Sequence, residues 1–275
     1  MVASAAAPMP HPTLTAPTLT PEAKDALRRT IRALRGRLAV DLRAEAETAY
    51  GLSRTDAGAA SGLSEAARER RARLLAHVDE RVRCAPAAEL KKSRAAVRER
   101  VLGRFVLEAA HTLVNRLALL RHMEALSVGK PRAERLVPID VVTKGWQSPA
   151  YRAWREHAAE LCDDARGASD GTEGYATLLG LVFQELARDL PGLYGDVGLT
   201  RLFPVPPATL RAVIEALNEP ALDSAWTDDT TLGWVYQYWN DPDREALDAK
   251  IAGGGKIEPH EIASKTQMFT ERYMV

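Results

Sequence analysis

The segment from Ala87 to Leu126 carries the pattern that most limits what this chain can fold into. Over its length, apolar residues recur every three or four positions, which is the spacing that places side chains on one face of an α-helix. Two such stripes run side by side, so the apolar face is broad enough for a helix at the centre of a core. The stripes consist of Val97, Val101, Phe105, Ala109, Leu113, Leu117 and Leu120, and of Leu102, Val106, Ala110 and Val114.

Helical patterns also occupy most of the remaining chain. Thr20-Pro21 combines an N-cap residue with a proline at the first helical position, and an apolar stripe from Leu27 to Leu42 follows. The segment RLVPIDVVT at 135–143 could form a short extended stretch, but no alternating pattern long enough for a sheet is present. We therefore predict an all-α fold built around the long helix. The further predicted helices are Ser64–Arg83, 148–165, 172–190, 208–218, a helix containing 232–239 and ending near 252, and one starting at Glu258.

The 275 residues have no net charge overall, but the two halves of the chain carry net charges of opposite sign. The 37 basic residues equal the 37 acidic ones, which argues against a histone-like protein whose bulk charge binds nucleic acid. Residues 1–130 contain 23 Lys and Arg against 14 Asp and Glu, whereas residues 131–275 contain 14 against 23. This asymmetry indicates units with different partners, units that dock, or solvated helix faces that merely differ in charge.

Charge and composition divide the chain into four regions. Residues 1–19 are rich in Ala, Pro and Thr and carry no charge, so we expect them to be disordered. A basic helical region follows at 20–130, then an acidic helical region at 131–229 and a helical lead-in at 230–275.

The common catalytic motifs are missing from the sequence, including GxSxG, HExxH, GxGxxG and the P-loop. The Gly253–Gly255 run lacks the remaining P-loop residues and is better explained as a helix C-cap and turn. Glu108 and His111 have the Glu-x-x-His spacing of di-iron bundles, but no second pair exists, so a hydrogen-bonded histidine is favoured over a metal site. We therefore predict neither a catalytic residue nor a metal ligand.

The two cysteines and the absence of targeting signals bear on the compartment. Cys84 and Cys162 lack the spacing of metal ligands, and we expect both to be buried and reduced. No apolar run is long enough to cross a membrane, and no signal peptide is recognisable. We expect a cytoplasmic protein.

Arginines on the first three predicted helices are candidates for contact with nucleic acid. Neutralising phosphates requires basic side chains clustered on one surface, and Arg94, Arg98 and Arg104 lie close together in the first half of the long helix. Interleaved acidic residues such as Glu69 and Glu80 weaken this interpretation. Contact with DNA and a merely solvated helix face both remain open.

Two segments resemble a known protein family. The first is NRLALLRHME at 115–124, and the second runs from LGWVYQYWNDPDREALDAKI at 232–251 through IASKTQMFTERYMV at 262–275. Together, over about 45 residues, they resemble the N-terminal region of large adenine-specific DNA methyltransferases of the bacteriophage-exclusion (BREX, PglX-like) type. In that family, an NRLxxLRxME-like helix, an LGWxYQYY-like aromatic helix and a QxFTPxxxVxxMV-like segment precede the methyltransferase fold.

The resemblance implies a cofactor, a substrate and a site. Phe269 and Thr270 would lie near the methionine end of S-adenosylmethionine, although Glu271 stands where the family usually has proline. The family's glycine-containing cofactor loop and its Asn-Pro-Pro-Tyr motif do not occur in this sequence. We therefore expect an N-terminal fragment that needs no cofactor and is inactive alone. The parent enzyme would act on double-stranded DNA, with other phage-defence proteins as partners and no membrane.

The residues that carry the resemblance also have purely structural interpretations. Asn115 and Arg116 lie on a helix whose other face is core, and Arg121 could pair with Glu124 three positions later and lock the helices. Trp234 and Tyr238 belong to an aromatic cluster for which packing is favoured over a stacking platform for a flipped base. A self-contained helical adaptor that binds protein or DNA is the alternative to a methyltransferase fragment.

Overall fold

The computed structural model describes residues 19–52, 62–159, 171–196, 199–255 and 257. Within these ranges the structure is helical and contains no strand, which confirms the predicted all-α class. In the described part of the chain, five short 3₁₀ segments lie between the helices, among them Gly145–Gln147, Thr200–Leu202 and Ala225–Thr227. The α-helices are α1 (Pro21–Tyr50), α2 (Glu65–Arg83), α3 (Ala87–Leu126), α4 (Pro149–His157), α5 (Tyr175–Leu186), α6 (Pro191–Tyr194), α7 (Pro207–Leu217) and α8 (Thr231–Ala252).

Helix α1 begins and ends at the local signals that its sequence contains. The Thr20 hydroxyl accepts a hydrogen bond from the Ala23 N–H at 3.2 Å, and Pro21 occupies the first turn. At the other end Gly51 adopts a left-handed conformation (φ 56°), which glycine tolerates without steric cost, and its N–H donates to the Glu47 carbonyl. The predicted stripe from Leu27 to Leu42 is buried.

Helix α3 has the predicted bounds and lies at the centre of the molecule. Both of its apolar stripes are buried, and α1, α2, α7 and α8 pack around it. The helix is interrupted at Ser93, whose backbone is extended (φ −165°, ψ 103°). The Ser93 hydroxyl accepts from the Ala96 N–H at 3.1 Å and so caps the helix where it restarts.

One hydrophobic core joins the predicted basic, acidic and lead-in regions. Tyr50 and Leu117 from the basic region, Trp226 from the acidic region and Trp239 from the lead-in all belong to it. Trp226 is fully buried, and its indole N–H donates to the Leu217 carbonyl at 2.9 Å. Because the regions share a core, the polar groups at their contacts are held in fixed geometry.

Several sequence-based expectations are wrong in detail. The stretch 135–143 forms turns rather than an extended segment, because its amides bind a side chain of α3 instead of a neighbouring strand. Helix α4 ends at His157, before the predicted 165. Leu19, assigned to the disordered tail, is buried in the core. Cys84 is exposed because it lies just past the end of α2.

Other expectations fall outside the described residues. These are the rest of the tail (1–18), Cys162 and the helix predicted from Glu258. The C-cap predicted at the triple glycine is confirmed, since α8 ends at Gly253 and Gly254 has a positive φ of 70°. Over the described ranges, no helix combines the length and the apolarity needed to cross a membrane.

Candidate functional site

Glu124, in the first segment that resembles the methyltransferases, is a buried carboxylate that anchors a loop. The side chain is 1% exposed and accepts the backbone N–H groups of Val141 (2.7 Å), Val142 (2.8 Å) and Thr143 (2.5 Å). The Thr143 hydroxyl donates a fourth bond at 2.6 Å. Burial raises the pKa of Glu124, and the four donors oppose that rise by stabilising the carboxylate.

The predicted ion pair between Arg121 and Glu124 is wrong, because the Glu124 oxygens are occupied by the loop 141–143. The buried Arg121 guanidinium instead lies 3.4 Å from Asp223 and above the Trp226 ring. At the next position, the Nδ1 of His122 donates to the Trp226 carbonyl at 2.8 Å. Both side chains therefore fasten α3 to the segment 223–226.

Arg116 fastens α3 to another part of the acidic region. Its guanidinium donates to the carbonyls of Leu193 (2.7 Å) and Gly195 (2.8 Å), and the Tyr194 hydroxyl donates back to the Arg116 carbonyl at 2.8 Å. Asn115 is half-buried, and its side chain makes no hydrogen bond to the described part of the chain. The polar residues of this segment therefore hold the helices together, as their structural interpretation predicts, although with different partners.

The aromatic cluster of the second segment packs inside the helical unit. Tyr238 is buried, and its ring stacks on Trp234 with 5.4 Å between centroids. The Lys24 ammonium of α1 lies 4.5 Å from the centre of the Trp234 ring. Since α1 covers these rings, the arrangement favours packing over a base-stacking platform, and the packing partner lies within this chain.

His111, four positions before the first segment, makes a stacking contact with the second segment. Its imidazole lies on the Trp239 ring with 5.0 Å between centroids and 15° between planes. The Nε2 atom is buried and has no hydrogen-bond partner among the described residues. Loss of hydration, together with the nearby Arg35 cation, lowers the pKa of His111 to about 4.

Ion pairs between α1 and α8 use arginines that the sequence places among the candidates for contact with nucleic acid. Arg32 makes a bidentate contact with Glu245 at 2.7 and 2.8 Å, and the pKa of this carboxyl is lowered as a result. Arg35 is buried, although it lies off the apolar stripe, and bonds both the Trp239 carbonyl and Asp243. The contacts join the basic half to the acidic half, as expected for regions that dock.

The three arginines proposed for DNA contact differ in their surroundings. Arg98 forms an ion pair with Asp79 of α2. The side chains of Arg94 and Arg104 are exposed and make no hydrogen bond or ion pair with the described part of the chain. Ten residues of helix separate them, or about 15 Å. The structure therefore leaves Arg94 and Arg104 free to bind an external anion.

The residues assigned to cofactor binding, Phe269 and Thr270, lie outside the described residues. Glu108 is exposed and does not join His111 in a ligand set. The described ranges contain no group of three or more His, Cys, Asp or Glu side chains placed to hold a metal ion. Comparisons with protein-family models, curated proteins and solved structures give no match for this chain.

Proposed function

We propose that this chain is the helical N-terminal part of a phage-defence adenine-specific DNA methyltransferase, which supports the catalytic domain and contacts DNA. The observation that carries the proposal is that α3 and α8, the helices that contain the segments resembling that family, pack together. His111, just before the first segment, stacks on Trp239 of the second. His122 bonds to the Trp226 carbonyl, 104 positions away, and the Thr231 hydroxyl at the start of α8 donates to the same turn.

The proposal assigns methyl transfer to a catalytic domain that follows the helical unit. That domain would transfer a methyl group from S-adenosylmethionine to adenine N6 in duplex DNA, and Phe269 and Thr270 would contribute to the cofactor pocket. The helical unit would hold the domain against DNA and offer surfaces to other phage-defence proteins. Its chemistry is therefore recognition rather than catalysis.

The coding sequence gives a direct test of the parent enzyme. The reading frame beyond Val275 should continue into a glycine-containing cofactor loop and then an Asn-Pro-Pro-Tyr motif, whose aromatic side chain stacks the flipped adenine. Sequencing the genomic locus decides this. A frame that closes without either motif would contradict the methyltransferase proposal.

Replacing Arg94 and Arg104 by glutamine together should weaken DNA binding regardless of the DNA sequence. If each arginine neutralises one phosphate, the slope of log K against log salt should become shallower by about 2. The measurement is a fluorescence-anisotropy titration of a labelled duplex at several salt concentrations.

The matched control removes the same charge from the acidic half. Arg132 and Arg188 are exposed, and Arg188 pairs only with the neighbouring Glu185, so the Arg132→Gln/Arg188→Gln variant should keep the full slope. Equal slopes for the wild type and the Arg94/Arg104 variant would remove these arginines from the DNA interface.

A self-contained adaptor that binds another protein is the second candidate. It is favoured by an exposed apolar pair at the end of α3, where Val128 is 75% and Leu136 is 49% exposed. The two lie close together, because the Leu136 N–H donates to the Ser127 hydroxyl at 3.0 Å. Absence of salt-dependent DNA binding by the wild-type chain would favour this candidate.

A further inference from the structure

A groove opens between α2, α3 and the turn before the Thr200–Leu202 helix. Its volume is about 430 Å³, which is within the range of sites that hold small ligands or inserted side chains. Phe105 and Leu199, each 7% exposed, form the apolar part of its wall. Helix α2 adds His77, Glu80 and Arg81, and α3 adds Glu108.

The charged side chains of this groove have no partners within the described part of the chain. The side chains of Glu80, Arg81 and Glu108 are exposed and form no hydrogen bond or ion pair with the described residues. Some charged side chains elsewhere on α2 and α3 do form ion pairs, as Arg98 does with Asp79 and Arg100 with Glu89. The groove therefore keeps its charges available for a ligand.

The net charge of the groove indicates which kind of ligand it can bind. The two carboxylates and the one guanidinium of the groove sum to a net charge of −1. A phosphate would meet both carboxylates, so the groove is unsuited to the DNA backbone. A cationic group gains from both of them, and an aliphatic stem attached to it can cover Phe105 and Leu199 while its charged end stays hydrated.

We propose that this groove binds a guanidinium or ammonium group carried on an aliphatic stem. Such a group is found in the arginine and lysine side chains of proteins and in free polyamines. The site is separate from Arg94 and Arg104 and does not depend on the proposed function.

An NMR titration of the full chain tests the proposal. N-acetyl-arginine amide and spermidine are the cationic probes, and N-acetyl-citrulline amide is a neutral probe of the same shape as the first. We expect saturable shifts of the backbone amides around Glu80 and Glu108 with at least one cationic probe, and none with the citrulline compound. Saturation by the arginine probe alone indicates a protein side chain as the source, and saturation by spermidine alone indicates a polyamine.

Two double variants that remove the same charge distinguish binding in the groove from general attraction of a cationic probe to the acidic surface. Glu80→Gln/Glu108→Gln should raise the Kd by about fivefold or more, as expected for the loss of two exposed charge contacts. Glu69→Gln/Glu99→Gln removes the same charge from exposed positions of the same helices and should leave the Kd unchanged. Equal binding of citrulline, no saturable shift with either cationic probe, or an unchanged Kd in the groove variant would overturn the proposal. Circular dichroism checks that each variant is folded.

Discussion

Replacing Glu124 by alanine should lower the free energy of unfolding by about 4 kcal/mol, because it leaves buried backbone donors without an acceptor. Three consecutive N–H groups, those of Val141, Val142 and Thr143, converge on this carboxylate, and Val141 and Val142 are themselves fully buried. Each unsatisfied donor costs roughly 1 to 3 kcal/mol, and water entering the new cavity recovers part of that cost. Chemical denaturation of the wild type and the variant measures the difference.

Two further variants show whether the acceptor or the packing is responsible. Glu124→Gln keeps the shape and one acceptor oxygen but turns an NH₂ group toward the donors, so about half of the loss should remain. Glu99→Ala removes an exposed carboxylate on the surface of the same helix, where it pairs with Arg43 of α1, and should change stability by less than about 1 kcal/mol. A Glu124→Ala variant within 1 kcal/mol of the wild type would show that the loop does not depend on this anchor.

The anchor also shows where sequence reasoning succeeds and where it fails. The bounds of α3 and the start of α1 follow from signals within each helix, namely apolar periodicity and the Thr20-Pro21 start, and these predictions are confirmed. The loop at 135–143 has apolar residues and no such signal. Its last three residues are held by one carboxylate 17 to 19 positions earlier, which accepts hydrogen bonds from their backbone amides. Because nearly every residue has a backbone amide, the order of the side chains does not show which amides are bound in this way.

The roles of the arginines are hidden for a similar reason. Arg28, Arg32 and Arg35 repeat at helical spacing. Their acidic partners lie within the five residues 241–245 of α8, more than 200 positions later. A single sequence does not indicate which of its many acidic segments will pack against a helix face that carries arginines. The same row of arginines is therefore compatible with a nucleic-acid surface and with an internal interface, and the structure decides for the interface.

His111 should contribute a loss of stability as the pH falls from 6.5 to 4. In the folded chain its pKa is lowered to about 4, whereas an unfolded histidine titrates near 6.5. Over this window the unfolded state binds the proton and the folded state does not, so stability is full above pH 6.5 and falls as the pH drops toward 4. The loss from this one group is about 3 kcal/mol, since each unit of pKa difference corresponds to about 1.4 kcal/mol.

His111→Phe should remove this loss while keeping the stack on Trp239. The buried Nε2 has no partner among the described residues, so an apolar ring leaves no donor or acceptor unsatisfied there. Denaturation at pH 7 and pH 4 should show the variant losing about 3 kcal/mol less than the wild type. Burial also lowers the pKa of His122, but that group titrates in both proteins and cancels in the comparison. Equal losses of stability in the two proteins would contradict this prediction. So would an NMR titration of the His111 ring with a midpoint above about 6, because it would show that the imidazole stays hydrated despite its contact with Trp239.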